Sequence, residues 1–272
     1  MKMTEQEFQR LSRQVKGKYG IDLFHKQQIV EGRLENYLTV GGWTSYGAYL
    51  DAVALDKTGK LERELVDLLT TNHTYFMREF QHLEFLKTEV IPQLKRKHHR
   101  DKEIRIWCGA ASTGEEPYML AMLLSDAFGI EKNQWDTRLL ATDVSTDALR
   151  KAIAGVYKEE QLKSMPDSWV RRYFKRIPET GEYQVTKELK QDVIYRQFNL
   201  MDPFPFRKEL QVVFLRNVMI YFDQETKNEL LQKVYDCLEP GGYLFIGKTE
   251  TIDRRKVPFQ MVQPSIFKKA GK

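Results

Sequence analysis

The chain has 272 residues, of which 42% are hydrophobic and 30% are charged, and 43 Lys and Arg against 38 Asp and Glu give a formal net charge of +5. This composition is typical of a soluble globular protein, and the length corresponds to one large domain or two smaller ones. No stretch approaches the ~18 uninterrupted apolar residues of a membrane-spanning helix, and the polar N-terminal segment MKMTEQEFQR predicts no export signal. We therefore expect no direct insertion into a membrane.

The cysteine, histidine and charge content indicate further which classes of protein can be excluded. Cys108 and Cys237 are too few for a disulfide framework, which indicates a reducing compartment and predicts a cytoplasmic protein. The five histidines have no spacing typical of metal ligands, so we predict no metal site. The excess of positive charge is small for the length and falls short of the concentrated basic face of a nucleic-acid-binding protein.

The N-terminal third of the chain is predicted to be helical. Thr4 and Glu7 have the spacing of a capping box and precede an apolar stripe that ends at Gly20. Three further apolar stripes at helical spacing follow, in the segments 29–38, 46–53 and 61–69. Together these four short amphipathic helices predict a small all-α N-terminal domain.

A polar and aromatic segment, TTNHTYFMREF at 70–80, interrupts the order of helices. Another helix follows it and ends in the basic run KRKHHR at 95–100, which we interpret as a solvated linker. We therefore place the helical N-terminal domain and its linker in residues 1–97.

From Lys102 onward the periodicity changes. Strands are predicted at EIRIWC, TRLLATD, VIYRQF, QVVFLR and YLFIG, with helices between them and SIFKK as a final edge strand. This alternation predicts an α/β fold with a doubly wound, mostly parallel Rossmann-like sheet over residues 98–272. One stretch, about 169–190, has strand-like composition around a turn at 179–182 and predicts a small antiparallel β insertion.

The loop after the first strand, GAASTG at 109–114, indicates what the sheet can bind. Its end glycines match a phosphate-binding loop, but Glu115 and Glu116 stand where Lys and Ser or Thr should follow, and two carboxylates would repel a triphosphate. A dinucleotide motif fails as well, because Ala111 replaces the glycine that lets the backbone approach a pyrophosphate.

The remaining ligand class is a nucleoside that has no phosphate and carries positive charge, which describes S-adenosylmethionine. Asp143 closes the second strand, where its carboxylate can accept hydrogen bonds from both ribose hydroxyls. Asp143 can instead cap the following helix, and Glu115 and Glu116 can instead complement the dipole of theirs. The combination of these features with a small-residue loop favours a cofactor site.

Seven segments occur in this order along the chain: TNHTYFMREF, AASTGEEPY, ATDVSTDAL, GVY, RYF, NL and RNVMIYF. With them the sequence closely resembles the CheR-type chemotaxis receptor methyltransferases, over about residues 4 to 268. The resemblance implies a helical domain joined to an S-adenosylmethionine-dependent methyltransferase domain with a β insertion. It also implies cofactor contacts at Asn72, Thr74, Arg78, Glu116, Asp143, Asn199, Leu200, Arg216 and Asn217.

Four further positions on this list have a structural alternative. Asn72 and Thr74 can form only a helix cap. Arg216 can be an ion-pair partner, and Leu200 can belong to the core and reach a ligand only through its backbone. The family often has a GHSE-like motif where this chain has GKTE at 247–250, and we assign no role to Lys248.

The resemblance implies that the enzyme esterifies receptor glutamates during sensory adaptation and releases S-adenosylhomocysteine. The implied partner is the cytoplasmic helical region of chemotaxis receptors, with the enzyme acting as a monomer. Glutamate is ionised at neutral pH, so the reaction needs no general base and depends on alignment. Our catalytic candidates are Arg78, which would position a carboxylate, and Tyr221, which would steer the substrate. Basic residues of the helical domain, such as Arg33, could meet an acidic receptor surface.

Two other functions compete with this one. A nucleic-acid methyltransferase is disfavoured, because DPFPF at 202–206 is not a (D/N)PP(Y/F) motif and neither cysteine follows a proline. A non-catalytic S-adenosylmethionine sensor that kept the fold is the other alternative, since fold does not imply function.

Overall fold

The computed structural model describes residues 1–271. Its first helix begins where the capping box predicts: the Thr4 hydroxyl accepts from the Glu7 amide, and the Glu7 carboxylate accepts from the Thr4 amide. The four N-terminal helices are α1 (Glu5–Tyr19), α2 (Gln27–Val40), α3 (Tyr46–Leu55) and α4 (Lys60–Leu69). Their apolar stripes meet in one buried cluster that includes Leu11, Leu34 and Tyr49, which confirms the all-α N-terminal domain.

A longer helical stretch follows the irregular segment 70–80. It consists of α5 (Gln81–Phe85), a π-helical segment (Leu86–Val90) and α6 (Ile91–Lys97). Leu83 and Leu86 share a core with Tyr118 and Phe245. This helical stretch therefore packs against the sheet, and the boundary of the N-terminal domain with its linker at residue 97 stays a prediction.

The basic run at the end of α6 is anchored to the protein. The Lys97 ammonium donates to Glu239 Oε1 at 2.6 Å, and Nε2 of the buried His98 lies 3.2 Å from the same oxygen. The interpretation of this run as a solvated linker is therefore wrong for the buried His98, whereas the Lys97 side chain is half exposed beside its ion pair. Because Glu239 lies far away in sequence, no local pattern indicates the contact.

Strands and helices alternate over most of the remaining chain, with short 3₁₀ segments at Gly129–Gln134 and Met219–Tyr221. The helices are α7 (Glu115–Phe128), α8 (Thr146–Ala154), α9 (Glu159–Leu162), α10 (Asp167–Tyr173), α11 (Lys187–Gln191) and α12 (Gln224–Cys237). The strands are β1 (Ile106–Cys108), β2 (Leu139–Asp143), β3 (Val156–Tyr157), β4 (Phe174–Arg176), β5 (Tyr183–Val185), β6 (Val193–Gln197), β7 (Leu210–Leu215), β8 (Leu238–Ile246), β9 (Gln260–Gln263) and β10 (Ile266–Lys268).

Seven strands form the main sheet, in the order β6-β2-β1-β7-β8-β10-β9. The first five are parallel to their neighbours, with Trp107 opposite Leu140 and Val213, and β10 and β9 are antiparallel. The doubly wound, mostly parallel sheet is thus confirmed. The expected edge strand SIFKK is not at the edge, because β9 pairs with its outer side. All four residues of β9 are exposed, so it has no buried face for a sequence pattern to indicate.

The antiparallel insertion is confirmed as a three-stranded sheet, β3-β5-β4. Its extent differs from the expected 169–190, since β3 comes from residues that follow α8 directly. Residues 167–173 form α10 and not a strand. Aromatic and β-branched side chains in this stretch favour a strand locally, and tertiary packing overrides that preference.

The helical domain covers the carboxyl ends of the strands. Asp67 of α4 accepts from the hydroxyls of Ser145 at 2.6 Å and Thr146 at 2.9 Å, at the start of α8. The Arg33 guanidinium donates to the backbone and side chains of residues 69–71. Arg33 therefore holds the start of the irregular segment 70–80, and its role toward a receptor stays a prediction. Within residues 1–271, no helix is long and apolar enough to span a membrane.

Candidate cofactor and active site

A cleft lies where the parallel strands end, under the helical domain. This is the position at which doubly wound sheets bind their ligands. The empty space between its walls, including solvent at the mouth, is about 960 Å³. The structure brings all ten predicted site residues to its wall: Asn72, Thr74, Arg78, Glu116, Asp143, Asn199, Leu200, Arg216, Asn217 and Tyr221.

The cleft has two walls of different construction. We call the residues that directly follow or close β1, β2, β6 and β7 the sheet wall, and the irregular segment 70–80 the linker wall. The sheet wall places side chains at one edge because parallel strands all end there. The linker wall has no hydrogen-bonded ladder and depends on individual side-chain contacts.

On the sheet wall, Asp143 is held by two backbone amides. Its Oδ2 accepts from Ser112 N at 2.8 Å and its Oδ1 accepts from Ser145 N at 2.9 Å. Burial raises the pKa of the Asp143 carboxyl above its ordinary value, and these amide donors oppose the shift. The cap of α8 is the Ser145 hydroxyl, which accepts from Ala148 N. Each Asp143 oxygen retains a lone pair for a ligand hydroxyl.

The two adjacent glutamates have different surroundings. Glu115 is buried, its carboxylate accepts from the Thr113 hydroxyl at 2.7 Å, and burial raises its pKa. Glu116 lines the cleft, where it accepts from Arg216 at 2.6 Å and from the Cys108 thiol at 3.2 Å. Only Glu116 is therefore placed to meet a ligand.

Arg216 forms a buried ion-pair network on the floor of the cleft. Its side chain is 1% exposed. Besides Glu116, it donates to the carboxylate of Glu79 at 3.3 Å and to the carbonyl oxygen of Arg78 at 2.6 Å. The structure thus gives Arg216 the ion-pair role that the sequence left open, and its direct contact with the cofactor stays a prediction.

The linker wall is fastened to the sheet wall at Asn72. The Asn72 side-chain amide donates to the Ser145 hydroxyl at 3.4 Å, and the Asn72 backbone carbonyl accepts from the Ser112 hydroxyl at 3.0 Å. Further along, the Arg78 guanidinium donates to the carbonyl of His73 at 3.0 Å and lies 5.7 Å from the centre of the Tyr75 ring. The segment therefore folds back on itself and presents Arg78 to the cleft.

Asn199 and Leu200 connect the sheet wall to the rest of the protein. The Asn199 amide donates to the carbonyl of Lys18 in α1 at 2.8 Å. Leu200 is buried in the core, and its carbonyl accepts from the Lys233 ammonium at 2.6 Å. The core alternative for the Leu200 side chain thus agrees with its packing. Ligand contacts at both positions stay predictions.

Asn217 and Tyr221 frame the other end of the cleft. Asn217 has a left-handed backbone (φ 58°), and its backbone N–H donates to the Glu250 carboxylate at 2.8 Å. The Tyr221 carbonyl accepts from Asp22 N at 2.8 Å, and the Lys26 ammonium lies 5.9 Å from the centre of its ring. Tyr221 therefore stands at the junction of the two domains.

Sequence reasoning missed two carboxylates that lie behind the walls. Glu250 is buried and accepts from the amides of Gly247, Asn217 and Met219 at 2.6 to 2.8 Å. Glu79 pairs with Arg216. Glu250 lies in the segment GKTE and Glu79 in the segment TYFMREF. For Glu250 the available signal was an acidic residue shortly after a buried strand. Other lining residues that sequence reasoning did not single out include polar side chains of the linker wall, Thr70, Thr71 and His73, and apolar or aromatic ones elsewhere: Tyr19, Ile21, Val144, Phe198, Val218 and Phe222.

The charges of the cleft fit S-adenosylmethionine. Two guanidinium groups, Arg78 and Arg216, and two carboxylates, Glu116 and Asp143, lie on the wall. Glu79 and Glu250 add two carboxylates behind it. The excess of negative charge suits a ligand that carries a sulfonium and an amino group, and it disfavours a phosphate. Within residues 1–271, no cluster of three or more His, Cys, Asp or Glu side chains could hold a metal.

The fold and the cleft define an S-adenosylmethionine-dependent methyltransferase. Residues 72–267 match the model of the CheR methyltransferase, SAM binding domain, and residues 6–70 match that of the CheR methyltransferase, all-alpha domain. The chain belongs to the CheR methyltransferase family. The predicted family, enzyme class and cofactor are therefore confirmed.

Several curated relatives cover nearly the whole chain. The chemotaxis protein methyltransferase of Borreliella burgdorferi is 36% identical over 98% of this chain and 95% of its own. That of Escherichia coli is 34% identical over 97% and 91%. Chemotaxis protein methyltransferase 2 of Pseudomonas aeruginosa is 38% identical over 91% and 87%. These likenesses extend through both domains and both walls of the cleft.

Proposed function

We propose that the protein transfers a methyl group from S-adenosylmethionine to the side-chain carboxylate of glutamates on chemotaxis receptors and forms glutamate methyl esters. The observation that carries this proposal is the meeting of Arg78 and Tyr221 with the predicted cofactor residues in one cleft. Relatives named chemotaxis protein methyltransferase support the same conclusion. No feature of the cleft favours nucleic acid or a non-catalytic sensor.

For the methyl transfer, the main task of the protein is to align the acceptor carboxylate with the methyl group and the sulfur. S-adenosylmethionine supplies a methyl group that is already activated by its sulfonium. The acceptor glutamate is an anion at neutral pH, so no residue has to remove a proton. Asp143 and Glu116 would hold the cofactor on the sheet wall, and Arg78 would position a carboxylate by a forked contact from the linker wall.

Tyr221 is proposed to steer the acceptor at the domain junction. Its backbone is tied to Asp22 of the helical domain, and Lys26 of the same domain covers one side of its ring. A substrate helix that contacts the helical domain would thus lie next to Tyr221. We propose the cytoplasmic helical region of the receptors as this partner, with the enzyme acting in the cytoplasm as a monomer.

One experiment tests the proposal as a whole. The protein is incubated with methyl-labelled S-adenosylmethionine and receptor-containing membranes, and the labelled product is then treated with mild alkali. We expect label on the receptor band and its release as methanol, which identifies a carboxyl ester. Label that resists alkali or follows nucleic acid would contradict the proposal, and cofactor binding without any transfer would favour a sensor.

A further inference from the structure

Glu79 has an unusual backbone conformation next to the candidate catalytic arginine. Its φ is 52°, in the left-handed region, and Met77 has a φ of 66°. These two residues flank Arg78 on either side. Left-handed backbone at residues other than glycine persists only where the surroundings hold it, and it concentrates at functional sites. The conformation of the linker wall at Arg78 thus requires contacts that compensate the strain.

The Glu79 carboxylate provides these contacts to two strand ends at once. One oxygen lies 3.3 Å from Arg216, which follows β7. The other accepts from the Lys248 amide, which follows β8, at 3.2 Å and lies 3.5 Å from the Asn217 side-chain nitrogen. The side chain is only 11% exposed. Little water is therefore available to replace these contacts if they are lost.

A chain of polar contacts links the Glu79 side chain to the backbone of Arg78. The Arg216 guanidinium contacts the carboxylates of Glu79 and Glu116, and it donates to the Arg78 carbonyl at 2.6 Å. The backbone of Arg78 is thereby fixed through the guanidinium that Glu79 and Glu116 hold. His82, 3.5 Å from the same Glu79 oxygen, is neutral at physiological pH, because burial lowers its pKa to about 4.

We propose that Glu79 is a positioning residue for the methyl transfer, which fastens the linker wall to the ends of β7 and β8 and so places Arg78 in the cleft. Glu79 does not line the cleft itself, so its effect passes through Arg216 and Arg78. The inference rests on cofactor binding and on the proposed position of Arg78. The identity of the receptor substrate does not enter it.

Glu79→Gln tests the inference, because it keeps the shape of the side chain and removes its charge. We expect the dissociation constant of S-adenosylmethionine, measured by titration calorimetry on the full chain, to rise about 10-fold. The thermal midpoint is expected to fall by several degrees, because a buried ion pair loses one charge, so the titration is carried out well below that midpoint. Glu84→Gln is the matched control, since Glu84 is exposed on the adjoining helix, and it should change neither quantity.

A double-mutant cycle with Arg78→Lys separates positioning from a general loss of stability. If Glu79 acts by placing Arg78, the dissociation constant of S-adenosylmethionine for Glu79→Gln combined with Arg78→Lys should be close to that for Arg78→Lys alone. Additive losses in the cycle would overturn the proposal. Unchanged affinity and turnover in Glu79→Gln at unchanged stability would overturn it as well.

Glu79→Asp serves if the glutamine variant does not fold. It keeps the charge but shortens the reach, and we expect about 3-fold weaker cofactor binding, with the same non-additivity toward Arg78→Lys. Affinity equal to that of the unmodified chain would contradict the proposal. Because the binding measurement needs no receptor, its outcome is independent of the test of the receptor substrate.

Discussion

The sheet wall and the linker wall of the cleft hold their side chains by different means. Asp143 ends a strand whose position is fixed by its neighbours on both sides, and backbone amides of two loops hold its carboxylate. Arg78 lies in a segment without regular structure, between two residues with left-handed backbone. The sheet wall is therefore positioned by the fold, whereas the linker wall is positioned by a few polar contacts.

This difference suggests a division of labour. The sheet wall contains most of the groups that we assign to cofactor binding. The linker wall adds Asn72 and Thr74 to them, and it contains Arg78, which we also assign to alignment of a reacting carboxylate. Changes at Arg78 should thus reduce turnover most, and changes on the sheet wall should mainly reduce affinity.

Arg78→Lys should have the largest effect. Lysine keeps the charge but loses the forked geometry, so turnover is expected to fall about 100-fold. Steady-state rates with labelled S-adenosylmethionine measure this. The exposed Arg150 is the control position, and Arg150→Lys should be neutral. Near-normal turnover and affinity in Arg78→Lys would show that Arg78 does not align a reacting carboxylate.

Asp143→Asn should mainly weaken cofactor binding. The nitrogen of the introduced side-chain amide would face a backbone N–H, and the charge-assisted hydrogen bonds are lost. The dissociation constant of S-adenosylmethionine should therefore rise about 10- to 100-fold. Calorimetric titration measures this, with Asp147→Asn on the surface of α8 as the control. Unchanged affinity would mean that Asp143 only supports the loop that contains Ser112.

Tyr221→Phe tests the proposed steering role at the domain junction. If the hydroxyl steers the acceptor, turnover should fall about 10-fold while cofactor affinity and stability stay constant. Tyr235→Phe, on α12, is the matched control. Unchanged turnover at unchanged stability would make Tyr221 a packing residue, and the steering function would have to be assigned elsewhere.

The smallest predicted effect concerns pH. Burial lowers the pKa of His82 to about 4, below its value in the unfolded chain, so between these values the unfolded state binds more protons. Stability should then fall as the pH decreases from 7.5 to 5.5, by about 1 kcal/mol from this residue. Denaturant unfolding of the protein and of His82→Gln at both pH values measures the difference. If the free energy of unfolding depends on pH equally in the protein and in His82→Gln, the lowered pKa of His82 is contradicted.

The sequence predicts the periodic parts of the fold best. The capping box at Thr4, the four amphipathic helices and the parallel strands follow from local patterns that burial reinforces. The edge strand β9 and helix α10 escape prediction for opposite reasons. β9 has no buried face to give a pattern, whereas α10 contains residues whose local preference is for strands.

The candidate site shows the same limit. Asp143 and Glu116 can be inferred from their place after a strand, but the contacts of Arg33, Glu79 and Arg216 join residues far apart in the sequence. Such contacts depend on how the domains pack, which no local periodicity encodes. The linker wall was therefore recognised only by its likeness to a family.

A crystal structure with bound S-adenosylhomocysteine would test the central claim most directly, namely that both walls form one cofactor and active site. We predict that the ligand lies in the cleft, with its ribose on Asp143 and with contacts to Asn72 or Thr74 from the linker wall. A ligand that contacts the sheet wall alone, or that lies outside the cleft, would contradict the account.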